Sequence, residues 1–294
     1  MMNLFGRHRD SGGNRRHCSS IWLVLTMLLC GLASNNKSFV KADGICWMLY
    51  QMADNDLEYF IREDNYEFVQ SEYVKDPSAT TWIYFDGRNY RDWFFGKNLF
   101  DPDITQPLMG LYNKDGTPYL GEGSIEKYQG SRYFTYDHDL GQMVIDTKLE
   151  EEQNSDSPTV LYEFLVHALE DCISKGKTEF FVALSSHGTG VAGFGGDENT
   201  VMEIDPAKRS LLNGNRNLLQ TNNLIISALE LALENVENAP EEYDMIGFDA
   251  CLMSSFESLD EFSTVTKYFL ASEAVEPGHG TCVGLFLFVL CFRT

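Results

Sequence analysis

The sequence predicts an α/β fold with a mostly parallel central sheet. Five apolar runs of strand length begin near residues 45, 81, 180, 245 and 268, and helical patterns lie between most of them. The run from Phe180 to Ser185 holds no charged residue, which suggests a strand buried on both faces, as in a parallel sheet. At 294 residues and 44% apolar content, the chain can build a substantial core in one large domain or two small ones.

Taken in order, the chain opens with Arg7, Arg9, Arg15 and Arg16, then an apolar run from Ile21 to Leu32 and the small residues of Gly31-Leu32-Ala33. That is the order of a secretory signal, cleaved after Ala33 or after Ala42, and residues 1–42 read as signal peptide and short linker. A signal anchor is the rival, but the apolar core falls short of the roughly 20 residues that span a bilayer, so no stable membrane span is expected. Asn36-Lys37-Ser38 is the one glycosylation sequon, and cleavage after Ala42 would discard it.

Ile45 to Tyr50 reads as the first strand. Asp54-Asn55-Asp56 then leads into Leu57, Phe60 and Ile61 at helical spacing, with Asn55 or Asp56 as the cap. This acidic cluster is not an EF-hand loop, because Tyr59 and Asn65 stand where its Gly and Glu are needed. A second strand, Thr81 to Phe85, ends at Asp86-Gly87. Residues from about 90 to 156 read as a loop-rich insertion with short strands or loops, its acidic end, 149–156, solvated.

Ser157 caps the next helix with Pro158 in its first turn, and Leu161, Phe164, Leu165, Ala168, Leu169 and Cys172 share one face. Cys172 therefore reads as a core residue, and His167, off that stripe, as a surface histidine. After the Phe180 strand, Gly188-Thr189-Gly190-Val191-Ala192-Gly193 matches the dinucleotide fingerprint in letters. No helix opens on those glycines and no second strand with a terminal acid follows, so the stretch reads as a glycine loop beside a site. A nucleotide-binding protein is the reading this disfavours.

Thr221 caps a helix carrying Leu224, Ile225, Ala228, Leu229 and Ala232, which Pro240 terminates. Met245 to Phe248 is a buried strand, followed by Leu252, Phe256, Leu259 and Phe262 at helical spacing. Tyr268 to Ser272 is the last strand before Glu276-Pro277-Gly278-His279-Gly280. Residues 281–294 form an atypical apolar tail, either one more buried strand or the product of a misassigned gene end.

The formal charge is −22, and residues 1–42 hold six of the 22 basic and one of the 44 acidic residues. The remainder keeps 16 basic and 43 acidic groups, a charge of −27. Nucleic acid is excluded as a partner by that sign, whereas a basic peptide would be attracted; solubility alone also accounts for the acidity. Beyond the signal lie Cys46, Cys172, Cys251, Cys282 and Cys291, an odd number that leaves at least one thiol unpaired or paired between molecules. No C-x-x-C pair exists, so neither a zinc ribbon nor a thioredoxin-type site is supported, and no metal ligands are assigned.

Two strands end in residues that carry chemistry. One leads to Ser185-Ser186-His187-Gly188, the other to Phe248-Asp249-Ala250-Cys251. Ligands in open α/β sheets bind outside the carboxyl ends of the strands. Cys251 reads as standing at a strand-to-helix junction, where unpaired N–H groups and the helix dipole favour thiolate. The two strands are consecutive and joined through one helix, so a right-handed crossover sets them side by side or nearly so. His187 would then serve as general base and acid and Cys251 as nucleophile, with the backbone N–H groups of Gly188 and Cys251 as oxyanion donors. The competing view is an unrelated pair: a buried cysteine before a helix and a histidine in a glycine turn.

Ser185-Ser186-His187-Gly188-Thr189-Gly190 and Gly247-Phe248-Asp249-Ala250-Cys251-Leu252-Met253 resemble the two active-site blocks of the clostripain family of cysteine peptidases, relatives of caspases, legumains and gingipains. Tyr50 to Glu58, Leu161 to Ala168, Ala271-Ser272-Glu273 and Pro277-Gly278-His279-Gly280 match further blocks in family order. The resemblance implies a caspase-like α/β/α sandwich over residues 43–280, with His187 and Cys251 as catalytic dyad. It further implies cleavage of basic peptide or protein substrates after Arg or Lys, and Asp249 in the primary specificity pocket; capping the following helix is the alternative role for Asp249. Clostripain-type enzymes often use calcium and process themselves, with no residues of this chain assigned to either property. The family continues past the Pro-Gly-x-Gly turn into an aromatic segment and further helices, which Thr281-Cys282-Val283 does not match. A C-terminally truncated, inactive or incomplete caspase-like domain, binding peptides or without retained function, is therefore the second expectation beside a secreted peptidase.

Overall fold

The computed structural model describes residues 44–55, 57–87, 111–112, 130–149, 153–196, 220–275 and 292–293. The expected signal segment, the 276–280 turn, most of the 90–129 stretch and most of the apolar tail lie outside the described residues. The strands are β1 (Ile45–Ala53), β2 (Thr80–Gly87), β3 (Leu111–Tyr112), β4 (Gly130–Asp137), β5 (Gln142–Lys148), β6 (Glu179–Ser185), β7 (Tyr243–Asp249), β8 (Thr266–Leu270) and β9 (Phe292–Arg293). The helices are α1 (Glu58–Gln70), the single turn α2 (Glu72–Lys75), α3 (Pro158–Ser174), α4 (Asn222–Asn235) and α5 (Phe256–Phe262).

All strands join one sheet in the order β3-β5-β4-β2-β1-β6-β7-β8-β9. Its centre, β2-β1-β6-β7-β8, is parallel, as the uncharged runs predict. β1 lies inside it, in register Cys46↔Thr80 with β2 and Cys46↔Phe180 with β6. Alternation along each strand sorts side chains onto two faces. Met48, Tyr50, Val182, Leu184, Ile246 and Phe248 pack beneath α3, α4 and α5; Trp47, Leu49, Ile83 and Phe85 pack with Ile61, Phe68 and Val69 of α1. This is the caspase-like α/β/α arrangement.

The α3 expectations hold in detail. Ser157 Oγ accepts from the Thr159 N–H at 3.3 Å, Pro158 sits in the first turn, and the predicted stripe from Leu161 to Cys172 is buried. α4 starts after Thr221, but Leu224 is exposed rather than part of its buried face.

Residues 130–148 extend the sheet rather than loop over it. β4 runs antiparallel to β2 and to β5, and their hairpin turns where Asp137 Oδ1 accepts the N–H groups of Asp139 and Leu140, both at 2.9 Å. The segment expected to be solvated at 149–156 is corrected at its end, where Ser155 and Asp156 are buried. Tyr50 donates its hydroxyl to the Ser155 carbonyl at 2.8 Å, Ser155 Oγ donates to Asp86, and Ser131 Oγ donates to the other Asp86 oxygen at 3.0 Å. The buried Asp86 carboxylate needs those donors, so the polar segment is drawn inward.

Cys172 is buried as expected but not simply as a core thiol. It forms a disulfide with Cys46, 126 residues away, joining the start of β1 to the last turn of α3. The entropy of closing so long a loop predicts that replacing both cysteines by Ala lowers unfolding free energy by about 4 kcal/mol, read from urea denaturation under oxidising conditions.

Candidate active site

β6 and β7 are adjacent and parallel, and their last paired rung is Ser185↔Asp249. His187 and Cys251 each lie two residues beyond that rung, on chains about 4.8 Å apart in a sheet. The Ser186 N–H reaches the Asp249 carbonyl at 3.4 Å, carrying the contact past the strands. Closest of all is Gly188: a Cβ placed there would stand 2.2 Å from the Cys251 carbonyl oxygen, 2.9 Å from Met253 Cγ and 3.1 Å from Ala250 Cβ. The segments bearing His187 and Cys251 therefore abut. Both side chains are half-buried, held by the fold yet open to solvent. Among the described residues Cys251 is the cysteine outside a disulfide.

The surroundings of Cys251 differ from the expected strand-to-helix junction. β7 ends at Asp249 and α5 begins only at Phe256, so no helix N-terminus adjoins the thiol. Leu252 takes a left-handed φ of +60°, turning the chain away from a helical path. The Leu252 and Ser254 N–H groups donate to the carbonyls of Ala274 at 3.0 Å and Ser272 at 2.9 Å, tying the turn to the residues after β8. Ser255 caps α5, its Oγ accepting from the Ser258 N–H at 3.0 Å, so Asp249 is not the cap. Asp249 is half-buried at the carboxyl end of β7.

Three residues that sequence reasoning did not connect with the site hold the histidine loop. Asn55, beyond β1, shares its amide N–H groups among the Met52 carbonyl at 2.8 Å, the Gly196 carbonyl at 2.9 Å and Ser186 Oγ at 3.2 Å. Its Oδ1 accepts the Leu57 N–H at 2.9 Å, a local turn ahead of α1 rather than the helix cap expected of it, since Leu57 is the N-cap residue and no side chain caps the helix. Asp156 Oδ1 accepts the Gly196 N–H at 2.9 Å, and Gln220 exchanges backbone bonds with Phe194, both at 2.8 Å. Phe194 is buried against Phe248 of β7, ring centroids 5.3 Å apart, so the loop is pinned to the cysteine strand by packing too. In the sequence Asn55 stands out as a candidate helix cap and as part of the Tyr50–Glu58 block, neither of which points to the histidine loop; Asp156 and Gln220 give no local signal.

The glycine loop opens no helix beyond the short 3-10 turn Gly190–Ala192, and Thr189 Oγ1 closes it on the Gly193 carbonyl at 2.9 Å. Among the described residues no three His, Cys, Asp or Glu side chains gather as metal ligands. The tight approach of Gly188 predicts that Gly188→Ala loses about 2 kcal/mol or more of stability in thermal or urea unfolding. The atom it would strike is backbone, not the end of a flexible side chain that could swing aside.

A secreted C11 cysteine protease from Bacteroides thetaiotaomicron, solved with an irreversible peptide inhibitor, matches at TM-score 0.50 and 20% identity, covering 81% of this chain and 51% of that one. An inactive zymogen C11 protease from Parabacteroides distasonis matches at TM-score 0.49 and 16% identity, over 83% of this chain and 52% of that one. The chain thus spans about half the length of these solved structures. A search of curated proteins gives no significant match. The model of the clostripain family, peptidase C11, matches residues 49–287, most of the 294, and with its two strand-end blocks meeting at one sheet edge the chain belongs to the clostripain family.

Proposed function

We propose that this chain is an exported cysteine endopeptidase that cuts after Arg or Lys. The observation that carries the reading is the contact of Gly188 with the Cys251 carbonyl, which sets the histidine and cysteine segments against each other at the carboxyl edge of two parallel strands. The Cys251 thiolate attacks the peptide carbonyl carbon, and the backbone N–H groups of Gly188 and Cys251 receive the oxyanion. His187 protonates the leaving amine as the C–N bond breaks, leaving a thioester on Cys251. A water deprotonated by His187 then attacks the thioester, releasing the acid product and the thiolate. Asp249, half-buried beside this edge, pairs with the basic side chain preceding the cut, where partial dryness strengthens the pair.

Export is supported by two observations. The order basic, apolar, small in residues 1–33 is that of a secretory signal, and the Cys46–Cys172 disulfide suits an oxidising compartment. Among the described residues no helix is long and apolar enough to cross a membrane.

Cys251→Ala is expected to lower arginyl-amide hydrolysis by at least about 1000-fold while leaving the urea unfolding curve in place. Unchanged hydrolysis would remove the proposal. An arginine-directed, thiol-reactive inhibitor should label Cys251 in the wild type, shown by peptide mass mapping; inertness would favour an inactive caspase-like domain instead. Asp249→Asn should cut kcat/KM for arginyl substrates by about 100-fold, because the guanidinium loses its charge partner in a partly dry site.

A further inference from the structure

Seven large apolar side chains are exposed among the described residues, and four of them lie on segments that meet around Cys251: Val191 at 58%, Leu252 at 41%, Phe256 at 79% and Val275 at 69%. Single exposed apolar residues are ordinary on any surface; it is the convergence that asks for a ligand. Val191 sits in the 3-10 turn four residues past His187, and that turn packs against α5. Leu252 follows the cysteine. Its carbonyl stands 3.1 Å from where a Cβ on Gly190 would be, and its N–H bond to Ala274 brings Val275 alongside. Phe256 opens α5 just beyond. The left-handed backbone at Leu252 carries a conformational cost and presents a large apolar side chain to solvent, a combination that the core does not require.

This rim occupies one side of the sheet edge. Phe248 points into the core beneath α3, α4 and α5, so strand alternation turns Asp249 to the opposite face. A peptide lying over Cys251 with its basic side chain toward Asp249 carries the next residue across the edge, onto the rim. The His187 loop is on that side as well, which is where a leaving amine must be to take a proton from the imidazole. We propose that Val191, Leu252, Phe256 and Val275 form a leaving-group subsite that selects an apolar residue immediately after the scissile bond. The inference rests on the peptidase function proposed above and adds to it the side chain on the far side of the cut.

Quenched-fluorescence peptides test it in the full chain, with Arg before the cut and Leu, Phe, Gly or Asn after it. Neutral residues are compared so that repulsion from the acidic chain does not enter. The expected kcat/KM is about tenfold higher for Leu or Phe than for Gly or Asn, as burial of one apolar side chain on a partly open surface provides. In Phe256→Ser and Val191→Ser that ratio should fall to within about twofold; being taken inside each variant, it is independent of overall activity. Equal rates in the wild type, or a ratio retained in both variants, overturn the subsite and leave the arginyl peptidase standing. Failure to cleave any peptide or arginyl amide overturns both. A concentration-dependent dimer in sedimentation that dissociates in Phe256→Ser assigns the rim to a second copy of the chain and overturns the subsite.

Discussion

The structure depends on one backbone contact, the approach of Gly188 to the carbonyl of Cys251. Only a residue without a side chain allows the chain after β6 to lie this close to the chain after β7. The parallel register sets the two strand ends level, and the glycine lets them close. Everything nearby maintains that closure: Phe194 on Phe248, the Asn55 amide on Ser186 and Gly196, and the Asp156 carboxylate on the Gly196 N–H. Gly195 is held by a similar restriction, since a side chain there would run into Asp156 and Met52.

Much of this was legible in the sequence, and for identifiable reasons. The uncharged run at Phe180 and the short run at Met245 have no amphipathic alternative, so their burial in a parallel sheet follows from composition. That the segments beyond them meet was legible because consecutive parallel strands joined through one helix end level with each other. The α3 boundary was legible because Ser157 and Pro158 act locally.

What the sequence hid was decided at long range. Cys46 and Cys172 are 126 residues apart and each sits in an apolar pattern, so nothing local marks them as partners. β4 gains its place from pairing with β2, and β5 from pairing with β4, and Ser155 is buried because Asp86 requires donors. The start of α5 was misread because Leu252 and Phe256 keep helical spacing with Leu259 and Phe262, while the left-handed turn at Leu252 breaks the helix that spacing suggests. Both of those side chains are exposed, so periodicity recorded a surface feature as though it were core.

The disulfide has a further consequence. Cys46 and Cys172 close a covalent ring that contains α1, α2, and the strands from β2 to β5, while His187 and Cys251 lie outside it. A single peptide-bond scission anywhere within that ring yields two polypeptides that remain joined through sulfur. Such a nicked molecule would run as one species on a non-reducing gel and separate only with thiol present, so a cut inside the ring releases no fragment until the disulfide is reduced.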